Sequence, residues 1–257
     1  MVGSACAFGL CGGGMFHVKH NRIRIAGEDI RNLAEAAGLA LPPGAAEQLA
    51  AHAEMVLDVN KVMNLTRITE SDDVVRLHIL DSIAWLADFG TIEGPVVDIG
   101  SGSGFPGAAI EIMTGVPVLL CESVSKKASF LQGLQAALDL RGGVFVGRAE
   151  DLARERPEEF RTVTARALSS MPSLLELAAP LLMLQGRLIA LKADPSSAEL
   201  DWADRAAMKC GMSRPVRAAY AIPGAEVARS ILVSTRTAPP QMRLPRRNGM
   251  AQKHPVG

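Results

Sequence analysis

The chain has 257 residues, 48% of them hydrophobic, and a formal net charge of zero. Such a chain can build a packed core and is not disordered, and its neutral balance excludes polyanion binding through bulk charge while leaving room for a local basic patch. Its four cysteines (Cys6, Cys11, Cys121 and Cys210) have neither zinc-ligand nor disulfide-framework spacing, which predicts a reduced, cytoplasmic protein, and an aromatic content of 4% disfavours a base-stacking platform.

At the N-terminus, Ala5–Leu10 is mildly apolar but too short for a signal core or a membrane span, and no Lys or Arg precedes it. Residues 1–26 read as a flexible tail, with Met1–Gly14 as a disordered stretch or a misassigned start and Met15 as the candidate initiator. The hexapeptide Met15–His20 can be encoded by an inverted repeat resembling the bacterial chromosome-partition site; the alternative is a basic start that touches nucleic acid.

Residues 27–90 carry helical periodicity and read as a helical cap. Leu33, Ala36, Ala37 and Leu39 mark a first helix, and Pro42-Pro43-Gly44 breaks it. Leu49, Ala53, Val56, Leu57 and Val62 mark a second, and Val74, Leu77, His78, Asp81 and Trp85 a third. From Gly94 onward strand and helix patterns alternate. Strands are expected at Pro95–Ile99, Val116–Cys121, Val144–Val146, Thr162–Arg166 and Arg187–Lys192, and helices at Pro106–Met113, Lys126–Leu140, Glu150–Arg154, Pro172–Leu184 and Ala198–Cys210. Two closing strand-like runs, Pro215–Tyr220 and Ser230–Thr235, have little between them. This is the pattern of an α/β domain over 91–257, a mostly parallel sheet covered on both faces with an antiparallel edge.

The first strand runs into Asp98-Ile99-Gly100-Ser101-Gly102-Ser103-Gly104. Glycines let a ligand approach the backbone, and the following helix offers free amides. The run Gly102–Gly107 also fits the dinucleotide spacing G-x-G-x-x-G, a weak signal alone. Asp98 tilts the choice: before the glycines a carboxylate can accept from an amino-acid ammonium, as in S-adenosylmethionine, but would repel a pyrophosphate. Glu122 follows the next strand where an acidic residue grasps ribose hydroxyls in either class, and Gly147-Arg148-Ala149-Glu150 follows the third, where an adenine-facing loop is expected.

Several runs together resemble the bacterial 16S ribosomal RNA guanine-N7 methyltransferases, the family once called glucose-inhibited division protein B. They are Asn60–Thr66, His78–Ser82, Asp98–Gly107, Lys126–Leu131, Gly147–Glu150, Ala165–Ala167, Leu244–Gly249 and Lys253–Pro255. The resemblance implies a Rossmann-like class I methyltransferase fold, with a seven-stranded mostly parallel sheet and an N-terminal helical cap. It implies S-adenosyl-L-methionine as cofactor, held at Gly100, Phe105, Ala149, Glu150 and Arg166, beside the Asp98 and Glu122 read above. Its expected partner is 16S ribosomal RNA or the assembling small subunit, for a monomeric enzyme without membrane attachment. The chain departs from the family at Ala193, where a glycine is usual, and near Arg236, where a lysine is.

Guanine N7 carries a free lone pair at neutral pH, so its methylation needs no general base. No catalytic acid, base or nucleophile, and no metal ligand, is therefore expected. His78 and Asp81 share a helical face and either form an acid–base pair or pack between the cap and the main domain. Asn60 and Asn64 either close over the pocket or cap a helix end. Arg166 either orients the guanine or its phosphate, contacts the cofactor, or forms a surface salt bridge. Lys19, Arg22 and Arg24 near one end, and Arg229, Arg236, Arg243, Arg246, Arg247 and Lys253 near the other, are candidate phosphate contacts.

Overall fold

The structure is a computed structural model that describes residues 24–89, 91–225 and 229–257. The hexapeptide Met15–His20, Lys19, Arg22, Cys6 and Cys11 lie outside them. Two helices, α1 (Gly27–Ala36) and α2 (Ala45–Asn60), lead the chain. The broken segment that follows holds α3 (Ser71–Val74), a π-helical turn over Val75–Leu80, α4 (Asp81–Ile83) and α5 (Leu86–Phe89). The periodicity of this stretch suggests one continuous helix; the wider π turn is instead inserted where His78 leaves it. Single π turns inside helices gather at functional sites. α2 stops at Asn60, whose Oδ1 accepts from the amides of Leu65 and Thr66 at 2.8 and 2.9 Å, so Val62 falls outside the helix and is 88% exposed. Of the two roles open to Asn60, the structure supports capping, here of the loop that follows.

Seven strands then alternate with helices: β1 (Val96–Ile99), α6 (Gly107–Thr114), β2 (Val118–Glu122), α7 (Ser125–Leu138), β3 (Val144–Val146), α8 (Ala149–Glu155), β4 (Phe160–Arg166), α9 (Met171–Ala178), β5 (Leu182–Lys192), α10 (Ser197–Cys210), β6 (Val216–Tyr220), β7 (Arg229–Thr235) and a closing α11 (Met250–Lys253). The sheet order is β3-β2-β1-β4-β5-β7-β6; β1 to β5 are parallel, and β7 is antiparallel to both neighbours. The reversed strand thus lies one position inside the edge that β6 forms. β1, flanked by β2 and β4 inside the sheet, is buried at every residue, as a strand covered on both faces must be.

One expected helix is too long. The sequence pattern predicts a helix over Pro172–Leu184, but α9 ends at Ala178 and Leu182 already pairs with Phe160 of β4. Pro180 has no amide to continue the helix. β5 then carries a bulge: Phe160 faces Leu182 while Thr162 faces Arg187, with Gln185 at φ +65° between. The extra residues spoil the alternation that would have revealed a strand.

Two hydrophobic clusters form on the molecule. One joins the cap (Leu49, Val56, Ile79, Trp85) to α6 and α7 (Ile110, Leu131, Leu134); the other joins α8, α9 and α10 (Leu152, Leu175, Ala206) to Val97, Val163 and Leu188 of the sheet. No helix among the described residues is long and apolar enough to cross a membrane.

Candidate active site

The chain leaves β1 at Ile99 and turns through three glycines in the left-handed region, Gly100 (φ +71°), Gly102 (φ +54°) and Gly104 (φ +91°), before α6 begins. A Cβ on Gly107 would lie 2.6 Å from Leu120 and 2.7 Å from Asp98, so only glycine lets α6 pack this close to the sheet. Below the turn Asp98 is 1% exposed. Its Oδ1 accepts from Thr164 Oγ1 at 2.8 Å, while buried Oδ2 has no partner. Burial pushes its carboxyl up to about 6. A buried, half-satisfied carboxylate is stabilised by an incoming cationic donor.

Glu122, also buried, steadies the turn from β2: Oε2 accepts from the Gly102 amide at 2.9 Å and Oε1 from the Val124 amide at 2.8 Å. Each oxygen accepts one of the two bonds it can take. After β3, Ala149 opens α8, and the buried Glu150 accepts from the Gly249 amide at 2.7 Å. Gly100, Cys121, Ser123, Ala149, Glu150, Leu168 and Gln252 line a cavity of about 170 Å³ between these loops. Ser123, Leu168 and Gln252 escaped sequence reasoning, because each reaches the cavity only through the topology.

The loop after β4 divides this cavity from a larger one. Ala167 at its start has φ +52°, an uncommon conformation for a residue with a side chain. Leu168 turns to the small cavity and covers Gly100, where a Cβ would meet Leu168 Cδ1 at 2.6 Å. Arg166, Ala167 and Ser169 line a cleft of about 470 Å³ with Ile68, His78, Asp81, Lys192 and Arg229. It opens at the carboxyl ends of β4 and β5, where α/β sheets bind ligands.

Arg166 is clamped rather than free. It donates to Asp81 Oδ2 at 3.3 Å, to the Leu77 carbonyl at 3.1 Å and to His78 Nδ1 at 3.1 Å, and its side chain is 12% exposed. Asp81 also meets Arg229 at 3.3 Å and the Tyr220 hydroxyl at 2.9 Å. Since an arginine can only donate, His78 accepts at Nδ1 and its Nε2–H donates to Thr66 Oγ1 at 2.6 Å. Burial pushes its imidazole down to about 3. A neutral imidazole with both nitrogens occupied is a packing group, so the acid–base reading of His78 and Asp81 gives way to the structural one. Lys192 pairs with Glu199 at 2.7 Å, and Asp194, also at the cleft, meets Arg217 at 3.1 Å. The cleft's three cations therefore face three carboxylates.

Phe105, 4% exposed, is buried just after the glycine turn. The rings of His52 and His78, both from the cap, lie nearly parallel to it with centroids 3.9 and 5.4 Å away, and the Arg166 guanidinium sits 5.7 Å from its centre. His52 went unread in the sequence; a histidine on the apolar stripe of Leu49, Ala53 and Val56 was the available signal.

The basic C-terminal residues divide. Arg246 pairs with Glu176 through two bonds of 2.5 and 2.6 Å, Arg229 meets Asp81, and Arg236, 5% exposed, donates to the Leu182 carbonyl and to Glu158. These three are taken up in pairs within the fold. Arg236 fills a shaped site in which a lysine could not make the same fork. Arg243, Arg247 and Lys253 are exposed and form no ion pair among the described residues.

The family model described as rRNA small subunit methyltransferase G matches residues 45–220. The ribosomal RNA small subunit methyltransferase G of Roseiflexus castenholzii is 35% identical over 233 residues, covering 89% of this chain and 99% of that protein. The proteins of the same name from Streptococcus equi subsp. zooepidemicus (35% identical; 86% of this chain, 96% of that one) and Symbiobacterium thermophilum (33%; 85% and 93%) are similar over comparable lengths. Among solved structures, a methyltransferase from Pyrococcus furiosus shares the fold, with TM-score 0.52 and 11% identity over 76% of this chain and 100% of that one.

Proposed function

The chain belongs to the rRNA small subunit methyltransferase G family, and on that premise we propose that it transfers a methyl group from S-adenosyl-L-methionine to N7 of a specific guanine in 16S ribosomal RNA. The observation that carries the cofactor choice is Asp98 Oδ2, a buried acceptor without a partner directly beneath the glycine turn. An ammonium group satisfies it; a pyrophosphate would be repelled. Around it, Gly100 gives the backbone approach, Glu122 has lone pairs left for ribose hydroxyls, and Ala149 and Glu150 border the cavity that suits an adenine. Arg166 lines the neighbouring cleft with its guanidinium 5.7 Å from the Phe105 ring centre.

The bound cofactor supplies an electrophilic sulfonium methyl group. What remains for the protein is positioning and exclusion of water, since guanine N7 attacks without first losing a proton. No residue need act as acid, base or nucleophile. The cleft's balanced charge suits a base edge better than a lone phosphate, and Arg166, held by Asp81 and His78, offers a fixed donor there. This proposal includes a cap over 27–90 and a methyltransferase domain over 91–257; the tail expected over 1–26 lies outside the described residues except at 24–26, where Ile25 is buried and its amide donates to Glu54 at 2.8 Å. It also takes the enzyme as a cytoplasmic monomer acting on naked 16S rRNA or on an assembling subunit.

Mapping 7-methylguanosine in 16S rRNA from cells with and without the protein tests the assignment. One guanine should lose its methyl group and regain it on complementation. An unchanged pattern would leave a methyltransferase with a different acceptor. Tight NAD binding by the purified chain with no response to S-adenosylmethionine would replace the cofactor itself.

A further inference from the structure

The cap reaches into the glycine turn with a buried histidine. His52, on α2, is 0% exposed, and its Nε2 lies 2.8 Å from the Ser103 carbonyl inside the turn. The carbonyl can only accept, so Nε2 carries the proton and Nδ1 holds a bare lone pair, buried and without a partner. The ring also stacks on Phe105 at 3.9 Å with 12° between planes. The backbone lies directly against it: a Cβ on Gly104, at φ +91°, would come 2.9 Å from Nε2. Burial pushes the imidazole down to about 4, which keeps it neutral and the tautomer single.

We infer that His52 is a positioning residue of the cofactor site, through which the helical cap sets both the path of the glycine turn and the plane of the Phe105 ring. The carbonyl it holds belongs to the residue between Gly102 and Gly104, two positions free to flip because glycine adopts either sign of φ. A turn with three glycines owes its shape to the groups that hold it. The Gly102 amide is held by Glu122, and those of Gly100, Ser101 and Gly104 by backbone carbonyls; His52 adds the hold on the Ser103 carbonyl, so the turn is set before the ligand arrives. Such preorganisation acts on affinity and not on the transfer step. The inference rests on the assignment of this turn to S-adenosylmethionine.

Calorimetry with S-adenosylmethionine on the full chain tests it, using His52→Phe, which keeps a stacking ring without the donor, and His52→Gln, whose amide nitrogen can replace Nε2. His52→Phe should bind at least about tenfold more weakly, with KM for the cofactor raised to match, kcat at saturation near wild type and KM for rRNA unchanged. His52→Gln should recover most of the affinity. Long-range 1H–15N spectra of the ligand-free wild type should show His52 protonated at Nε2. Wild-type affinity in His52→Phe, equal loss in both variants in step with their Tm, or a proton on Nδ1 each overturns the inference. A wild-type chain that binds no S-adenosylmethionine overturns the cofactor assignment beneath it instead.

Discussion

Asp98 and Glu122 are neighbouring carboxylates with different tasks. Glu122 spends one bond per oxygen on backbone amides and so shapes the turn; Asp98 leaves Oδ2 open. Their types and positions after the strands were legible in the sequence. Which oxygen is occupied was not, since that depends on Thr164 of a strand 66 residues away. Raised to about 6, Asp98 is ionised at neutral pH and largely protonated at pH 5. Because the ionised form attracts the ammonium, cofactor affinity should fall as pH drops through 6, by roughly tenfold between pH 7 and pH 5, with a proton released on binding near pH 5.5. For stability the sign is opposite: the raised value favours the fold at low pH and loses that contribution as pH rises through about 6. Calorimetry in buffers of different ionisation enthalpy reads the released proton, and Asp98→Asn should abolish both it and the pH dependence. A flat affinity profile for the wild type would mean that Oδ2 is not the ammonium's partner.

The C-terminal segment is an element that the sequence displayed without explaining. Its arginines suggested phosphate binding, yet the chain folds back as a clasp on α8 and α9. Arg246 grips Glu176, which is 2% exposed, Asn248 donates to both oxygens of Asp151 at 3.0 Å, and the Gly249 amide holds Glu150 at the small cavity. Arg246→Ala would strand a buried carboxylate, and should lower stability by about 3 kcal/mol in chemical denaturation while leaving rRNA affinity of the folded fraction near wild type. A stable Arg246→Ala variant with selectively weakened rRNA binding would restore the phosphate reading. The bulged start of β5 was hidden for a related reason. Local alternation marks a strand only where its pairing is regular, and here Pro180 and the bulge interrupt the pattern that pairing with Phe160 imposes.

Across the whole molecule, a chain with zero net charge must find rRNA through local charge. Once Arg229, Arg236 and Arg246 are assigned to internal pairs, Arg243, Arg247 and Lys253 remain exposed on one stretch of chain. Replacing Arg247 and Lys253 by Ala should weaken 16S rRNA binding and lower the slope of log K against log salt by up to about two, with Tm unchanged. Filter binding across a salt series reads this, and an unchanged slope would place the rRNA on another face. The cap, for its part, is joined to the rest of the molecule by contacts that include the shared hydrophobic cluster, the Asp81 node that gathers Arg166, Arg229 and Tyr220, and His52 at the glycine turn.

By itself the sequence determined the alternation of strands and helices, the position of the glycine turn, the acidic residues at strand ends and, through the family-like runs, the reaction to expect. These are local properties: periodicity, glycine's freedom of φ and residue type at a fixed offset are all read within one segment. Only the tertiary structure decided which charges are spent on the fold and which remain exposed, that His78 and Asp81 are taken up in hydrogen bonds with Thr66, Arg166, Arg229 and Tyr220, and that His52 and the C-terminal clasp border the site. Each of those depends on burial and on a partner brought from far along the chain, and neither quantity exists until the sheet has set its order.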